Sequence, residues 1–158
     1  METNDKTFSL IIDRLKSLGI TFEVIEHSPV VTIDDVICVL DIPTDAMAKT
    51  MLFKVNQIGL VAVILPGLNK VDYSKLATAL GVKRKAVNLM TKGQADELGV
   101  QVGAISPLSG LYQRVLLDPK LFNQEMVYCG SGDLSKTIKI APATIVNVTS
   151  ATVVDVSR

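Results

Sequence analysis

Tryptophan is absent, aromatic residues make up only 4% of the chain, and there is one histidine and a pair of cysteines. With so few rings the core must be packed from Val, Ile, Leu and Ala, and no base-stacking platform for single-stranded nucleic acid can be assembled. Any Ser-His-Asp or Cys-His catalytic arrangement has to use His27 or not exist. That residue stands in Glu26-His27-Ser28-Pro29, at the end of a strand-like run, where a turn or capping role is expected. Cys38 and Cys129 lie far apart with no metal-like spacing, so a zinc site is not expected. They read as two free buried thiols of a reduced compartment, with a disulfide as the lesser alternative.

Net charge is missing as well. Sixteen basic and sixteen acidic residues cancel, which argues against a protein that coats nucleic acid by charge alone but leaves room for a local basic site. No stretch approaches the roughly 18 apolar residues that span a bilayer. Residues 1–10 lack the basic flank and apolar run of a signal peptide, so a soluble cytoplasmic protein is expected. There is no P-loop. Gly130-Ser131-Gly132 is too short for a dinucleotide fingerprint, and no helix of the right length follows it. No cofactor is expected.

Apolar residues fill the remaining space: 48% of the 158 residues, with a mean hydropathy of +0.38. That suffices for one domain, residues 1–158, with a substantial core. Apolar residues at 8, 11, 12, 15 and 18 have helical spacing, with Gly19 as the stop. Thr21–Glu26 reads as a strand. Thr32 with Asp35 gives a capping pattern for a helix over Ile33–Leu40, which Ile42-Pro43 should end. Thr50–Val55 and Leu60–Leu65 form the clearest hairpin, joined by residues 56–59 with Gly59 in the turn.

Asp72 and Gly81 bracket a helix over Tyr73–Leu80. A short strand over Val87–Met90 and a short helix from Thr91 to Leu98 follow, closed by Gly99. Further strands are expected at Tyr112–Leu117, Glu125–Cys129, Lys136–Ile140 and Thr152–Val156. Pro142 opens a last helix over Ala143–Val148. This irregular interleaving points to an α+β, mixed α/β fold: a curled or closed, barrel-like mixed sheet with peripheral helices.

Three short polar islands at the edges of apolar runs are the candidates for chemistry. Lys49 and Thr50 sit ahead of the first hairpin strand beside Ala46, Met47 and Ala48. A lysine with its stem on the core and its ammonium in a cleft can hold a phosphate as a point charge, although single lysines commonly snorkel at surfaces. Gly103-Ala104-Ile105-Ser106-Pro107 begins with a residue free in φ and ends with one fixed in φ. Such a loop can aim successive backbone N–H groups at one spot, or simply connect two strands. Gly130-Ser131-Gly132 offers close backbone approach and a hydroxyl, or a plain turn. Lys83-Arg84-Lys85 is a solvated face or a contact to a nucleic-acid backbone.

In order along the chain stand His27-Ser28-Pro29-Val30-Val31-Thr32, Lys49-Thr50, Pro66-Gly67, Leu76-Ala77 to Leu80-Gly81, the Gly103–Pro107 loop, Gly130-Ser131-Gly132, and Ile138-Lys139-Ile140-Ala141-Pro142. Over residues 8–156 this ordered set resembles the YbaK/ProX family of free-standing aminoacyl-tRNA deacylases, related to the editing domain of bacterial prolyl-tRNA synthetases. The resemblance implies hydrolysis of the ester of a mischarged tRNA, with tRNA as partner and a synthetase such as prolyl-tRNA synthetase as a further one.

It implies Lys49 as the functional lysine on the phosphate of the terminal adenosine. Gly103 becomes the residue whose backbone orients the ester, with Ala104, Ile105, Ser106 and Pro107 in the same loop. Thr50 and the segment Gly130, Ser131, Gly132 fall in the same substrate site. It further implies that water or a substrate group attacks, positioned by the terminal ribose, without a covalent intermediate. An activated ester needs little more than orientation and carbonyl polarisation.

Val30, Thr32, Met47 and Ile105 are the candidates to line an amino-acid pocket of small volume, where one methylene is worth only about 1–3 kcal/mol. The synthetase branch often carries a histidine near Val127–Ser131 and this chain has none, so cysteinyl, seryl and threonyl esters stand beside alanyl-tRNA(Pro). A non-catalytic module binding a tRNA end, nucleotide or metabolite is the alternative from another class. A hydrolase of small activated esters is a third.

Overall fold

The protein is described here as a computed structural model covering residues 2–30 and 32–158. Val31, part of the motif quoted above, lies outside the described residues. The elements run α1 (Glu2–Ser17), β1 (Glu23–Glu26), α2 (Ile33–Leu40), β2 (Met47–Val55), β3 (Gly59–Pro66), α3 (Tyr73–Leu80), β4 (Val87–Leu89), α4 (Lys92–Glu97), β5 (Arg114–Leu117), β6 (Val127–Gly130), β7 (Lys136–Ile140), α5 (Pro142–Thr149) and β8 (Thr152–Val153).

Local chemistry explains most of these bounds. Thr32 caps α2 with a reciprocal pair, its hydroxyl accepting from the Asp35 N–H and the Asp35 carboxylate accepting from the Thr32 N–H. The helix spans Ile33–Leu40, the bounds expected from sequence, and closes on Asp41, which takes a left-handed φ of 52°. Asp72 accepts from the Lys75 N–H to cap α3, and Gly81 closes it in the left-handed region. Thr91 and Gln94 repeat the capping box at α4.

The eight strands form one mixed sheet in the order β1-β7-β6-β2-β3-β5-β8, with β4 pairing β2 off this path. It is the curled alternative that the chain adopts: β1 and β8 end the path and are not paired with each other, so the sheet is not closed. The β2–β3 hairpin is antiparallel over its whole length, from Ala48↔Pro66 to Val55↔Gly59. Its turn uses positive φ at both Gln57 and Gly59.

One side of the sheet carries the larger core, built from Ile11 and Leu15 of α1, Leu52, Ile64, Leu117, Val127, Ile138 and Ile145. The other side packs Phe53, Val61, Val63 and Leu65 against Leu76 and Leu80 of α3. A small third cluster, Val30, Val36 and Met47, sits under α2. Phe53 meets Tyr73 edge-on at 5.6 Å, one of the few ring pairs this aromatic-poor chain can make. His27 ties β1 to β7, its Nδ1–H donating to the Ser28 carbonyl and its Nε2 accepting from the Thr137 hydroxyl, each at 2.8 Å. That is the turn role expected of it. Among the described residues no helix is long and apolar enough to cross a membrane.

Candidate functional site: a cleft at a bare strand edge

β2 is covered on its outer edge by two different strands that do not meet. Met47 and Ala48 pair in parallel with Tyr128 and Cys129 of β6, and Phe53–Val55 pair antiparallel with Leu89–Val87 of β4. Residues 49–52 lie between the two patches, and all four line a cleft of about 460 Å³, within the range of small-molecule sites. The Met90 N–H donates to the Leu52 carbonyl at 2.9 Å where β4 runs out. Because backbone groups alternate along a strand edge, the N–H and C=O of Thr50 face the same side as that of Leu52, into the gap.

Side chains alternate too. Lys49 and Met51 stand on one face of β2 and Thr50 and Leu52 on the other, yet all four reach one cleft because it wraps the uncovered edge. The remaining wall is Ile33 and Thr32 at the start of α2, Leu89 to Lys92 with Ala95, and Gly103 with Ile105.

Lys49 lies inside β2, not ahead of it, since the strand starts at Met47. Its ammonium donates to the Asn69 carbonyl at 2.6 Å. Asn69 sits in the turn after β3, where its own N–H donates to the Pro66 carbonyl. Half-burial, and then the repulsion of Lys70, push the Lys49 ammonium below its ordinary pKa. A cation destabilised in this way gains from an anionic ligand.

The loop that follows α4 is held from behind. Gly132 N–H donates to the Ala104 carbonyl at 2.8 Å, and Tyr112 hydroxyl donates to the Ser106 carbonyl at 2.6 Å. Gly130 lies directly under Ile105, so close that a Cβ there would meet the Ile105 carbonyl oxygen. The N–H of Ala104 is turned inward onto the Gln101 carbonyl, so this loop does not offer an unbroken row of amides. Gly103 lies in a single 3-10 turn, Val102–Ala104.

The sequence candidates therefore do not all share one place. Lys49, Thr50, Thr32, Gly103 and Ile105 line the cleft together. Ala104, Ser106 and Gly132 surround a small void of about 40 Å³ on the far side of the loop, and Pro107 lies beside Arg14 of α1. Ser131 is fully buried, donating to the Lys136 carbonyl and accepting from the Asp133 N–H. Gly130 and Ser131 thus build the support of the loop. Val30 and Met47 are buried with Val36 and do not line the cleft.

Met51, Leu52, Leu89, Met90, Thr91, Lys92 and Ala95 were not singled out from sequence. Their only local signals are the end of a short strand and the Thr91 cap, and neither says that β4 docks beside β2. Cys38 is exposed, correcting the expectation that both thiols are buried; Cys129 is buried and its thiol is pushed up to about 12 by desolvation.

The cleft lining contains no His, Cys, Asp or Glu. Among the described residues, no group of three or more His, Cys, Asp and Glu side chains is placed to hold a metal ion. The chemistry on offer is two ammoniums, Lys49 within and Lys92 at the start of α4, three threonine hydroxyls, backbone amides and an apolar wall.

Comparison with known proteins gives the family. The proline–tRNA ligase of Sulfurihydrogenibium sp. (strain YO3AOP1) is 29% identical over 77 residues, which is 49% of this chain but only 13% of the ligase. Among solved structures, hypothetical protein APE2540 superposes with a TM-score of 0.86 at 24% identity, covering 94% of this chain and 99% of that one. A candidate trans-editing enzyme for prolyl tRNA synthetase superposes with a TM-score of 0.82 at 19% identity, covering 96% and 97%. These two share the fold. The model of the aminoacyl-tRNA editing domain matches residues 27–148, and the chain belongs to that family.

Proposed function

We propose that residues 1–158 act as one trans-editing domain that hydrolyses the ester of a mischarged tRNA carrying a small amino acid, of the cysteinyl- or alanyl-tRNA(Pro) kind. The observation that carries this reading is the composition of the cleft: ammonium, hydroxyls and amides with no nucleophile–base pair. Such a site suits a substrate that is already activated and needs holding more than attack by a side chain.

In this mechanism Lys49 grips the phosphate of the terminal adenosine, and Gly103 with its loop fixes the acyl ester against the bare edge of β2. A water molecule, oriented through the free ribose hydroxyl, adds to the ester carbonyl. The C–O bond to the ribose then breaks, and the ribose oxygen takes the proton that the water loses. The products are the free amino acid and tRNA with both terminal hydroxyls restored. Donors aimed at the carbonyl oxygen stabilise the charge that develops there.

The basic run 83–85 precedes β4, whose far end walls the cleft. Arg84 stacks over the Tyr73 ring at 4.2 Å, while Lys83 and Lys85 are exposed. In this reading the run is available to a tRNA backbone, and recruitment by a prolyl-tRNA synthetase complements a chain without net charge. The test is a panel of mischarged tRNAs with purified wild-type protein. Release of a small amino acid from at least one, inhibited by uncharged tRNA, is the expected result. A panel left intact at high protein concentration, with tRNA still bound, would establish a binding module instead.

A further inference from the structure

The Lys49 ammonium is aimed by one backbone carbonyl, that of Asn69, and a set of charged side chains outside the cleft bears on where that carbonyl stands. Residues 69–72 belong to no helix or strand. They are held from two directions. On one side the Asn69 N–H donates to the Pro66 carbonyl at 2.9 Å. On the other, Val71 forms an antiparallel bridge with Ser157. There the Asp72 N–H donates to the Val156 carbonyl at 2.8 Å, and the Arg158 N–H donates to the Lys70 carbonyl at 2.9 Å. The Lys70 carbonyl is one peptide beyond that of Asn69, so residues 156–158 form a strap across the segment that receives the lysine.

A bridge with two hydrogen bonds frays readily by itself. This one has a catch. The fully buried Ser157 accepts at its hydroxyl from the Lys120 ammonium at 2.7 Å, and at its carbonyl from the Lys75 ammonium at 2.9 Å. Lys75 also pairs with Asp155 at 2.8 Å. Asp118, fully buried after β5, accepts from the Lys120 N–H at 2.8 Å and from the Val156 N–H at 3.4 Å. The Lys120 ammonium stands 3.8 Å from Asp118 and 3.7 Å from Asp155. Val71 and Val156 anchor both strands of the bridge in the core on the α3 side. None of these residues lines the cleft. Hydrogen bonds from a charged donor to a buried acceptor are stronger than neutral ones, and here they converge on a few residues of backbone.

Resting on the reading of Lys49 as the phosphate grip, we infer that Lys120 and Ser157 are positioning residues for it: they lock residues 156–158 onto 70–72 and so fix the Asn69 carbonyl that aims the ammonium. With the catch open, residues 69–72 loosen and the ammonium is no longer oriented before substrate arrives.

The test compares Ser157→Ala, which removes the acceptor and leaves Lys120 beside Asp118, with Lys120→Met, which removes the donor, and Lys120→Arg, which keeps one. In the free protein the Asp72 and Arg158 amide hydrogens should exchange faster in the first two variants. The nitrogen–proton NMR cross-peak of the Lys49 ammonium, protected in wild type by the Asn69 carbonyl, should be lost in both and kept in Lys120→Arg. On an aminoacyl-adenosine 5′-phosphate, kcat/KM should fall about tenfold in Ser157→Ala, short of the roughly hundredfold loss for a fully misplaced group. An aminoacyl-adenosine without the phosphate should react as with wild type, whereas simple destabilisation lowers both rates equally. A Lys49 cross-peak unmoved in Ser157→Ala, unaltered exchange at Asp72 and Arg158, or equal losses on the two substrates overturns the inference and leaves the deacylase reading intact. No hydrolysis by wild type removes the deacylase reading, and the cross-peak then decides the positioning role alone.

Discussion

Lys49→Ala should lower kcat/KM for a mischarged tRNA by about 100-fold or more while the fold is retained. The ammonium is fixed before substrate arrives, by a strand position paired with Leu65 and by the Asn69 carbonyl. A preorganised charge in a half-dry site contributes more than the same charge on a surface, and losing one such donor typically costs about 10²–10³ in rate. Arginine should not fully restore the activity, because a planar fork does not reproduce a compact point charge held against the Asn69 carbonyl.

The substrate can report on the same contact. An aminoacyl-adenosine lacking the 5′-phosphate should react slowly with wild type and no more slowly with Lys49→Ala. That non-additivity marks a shared interaction. Equal sensitivity of both substrates to the mutation would place the lysine elsewhere in the mechanism.

Gly130→Ala is the second large effect, and it acts from beneath the loop. An added Cβ would stand against the Ile105 carbonyl, with the Ile105 and Ala104 carbonyl carbons at 2.7 and 3.1 Å. All three are backbone atoms that no rotamer change can move. Gly130 is paired with Thr137 of β7, and Thr137 is held by His27, so the strand side is stiff and the loop has to yield. Overpacking of this kind costs about 1–3 kcal/mol, read as a lowered melting temperature. Moving Gly103 and Ile105 by even an ångström should cost roughly 100-fold in rate. Full activity in Gly130→Ala would show that the loop position is not set by this contact.

Much of the fold is legible because its signals are local. Thr32 with Asp35, Asp72 with Gly81, and Thr91 state where three helices begin or end, and the structure follows each. The strand at Lys136–Ile140 falls where its alternation puts it. What is not legible depends on non-local pairing. Nothing near Met47 says that a parallel partner from β6 will extend β2 by three residues and carry Lys49 into the strand. Nothing near Leu89 says that β4 will stop short of β6 and leave an edge uncovered.

The candidate site divides along the same line. Lys49, Thr50, Thr32, Gly103 and Ile105 are candidates by residue type and by the resemblance, and the fold lines one cleft with them. Val30 and Met47, two candidates for the amino-acid pocket, are covered by α2 as a core of its own. Gly130-Ser131-Gly132 reads from sequence as a substrate contact or a plain turn; the Ser131 hydroxyl bonded to the Lys136 carbonyl and a glycine pressed under Ile105 act on the loop's position.

A single acylated 3′ terminus is expected to lie along the bare edge of β2, with its phosphate at Lys49 and its ester at the Gly103 loop. The most direct measurement is a crystal structure with a non-hydrolysable 3′-aminoacylamido-adenosine 5′-phosphate. The phosphate is expected within hydrogen-bond distance of Lys49 Nζ and the acyl group in the gap beside Gly103 and Ile105. A ligand bound with its phosphate away from Lys49, or outside the gap between β4 and β6, would contradict it.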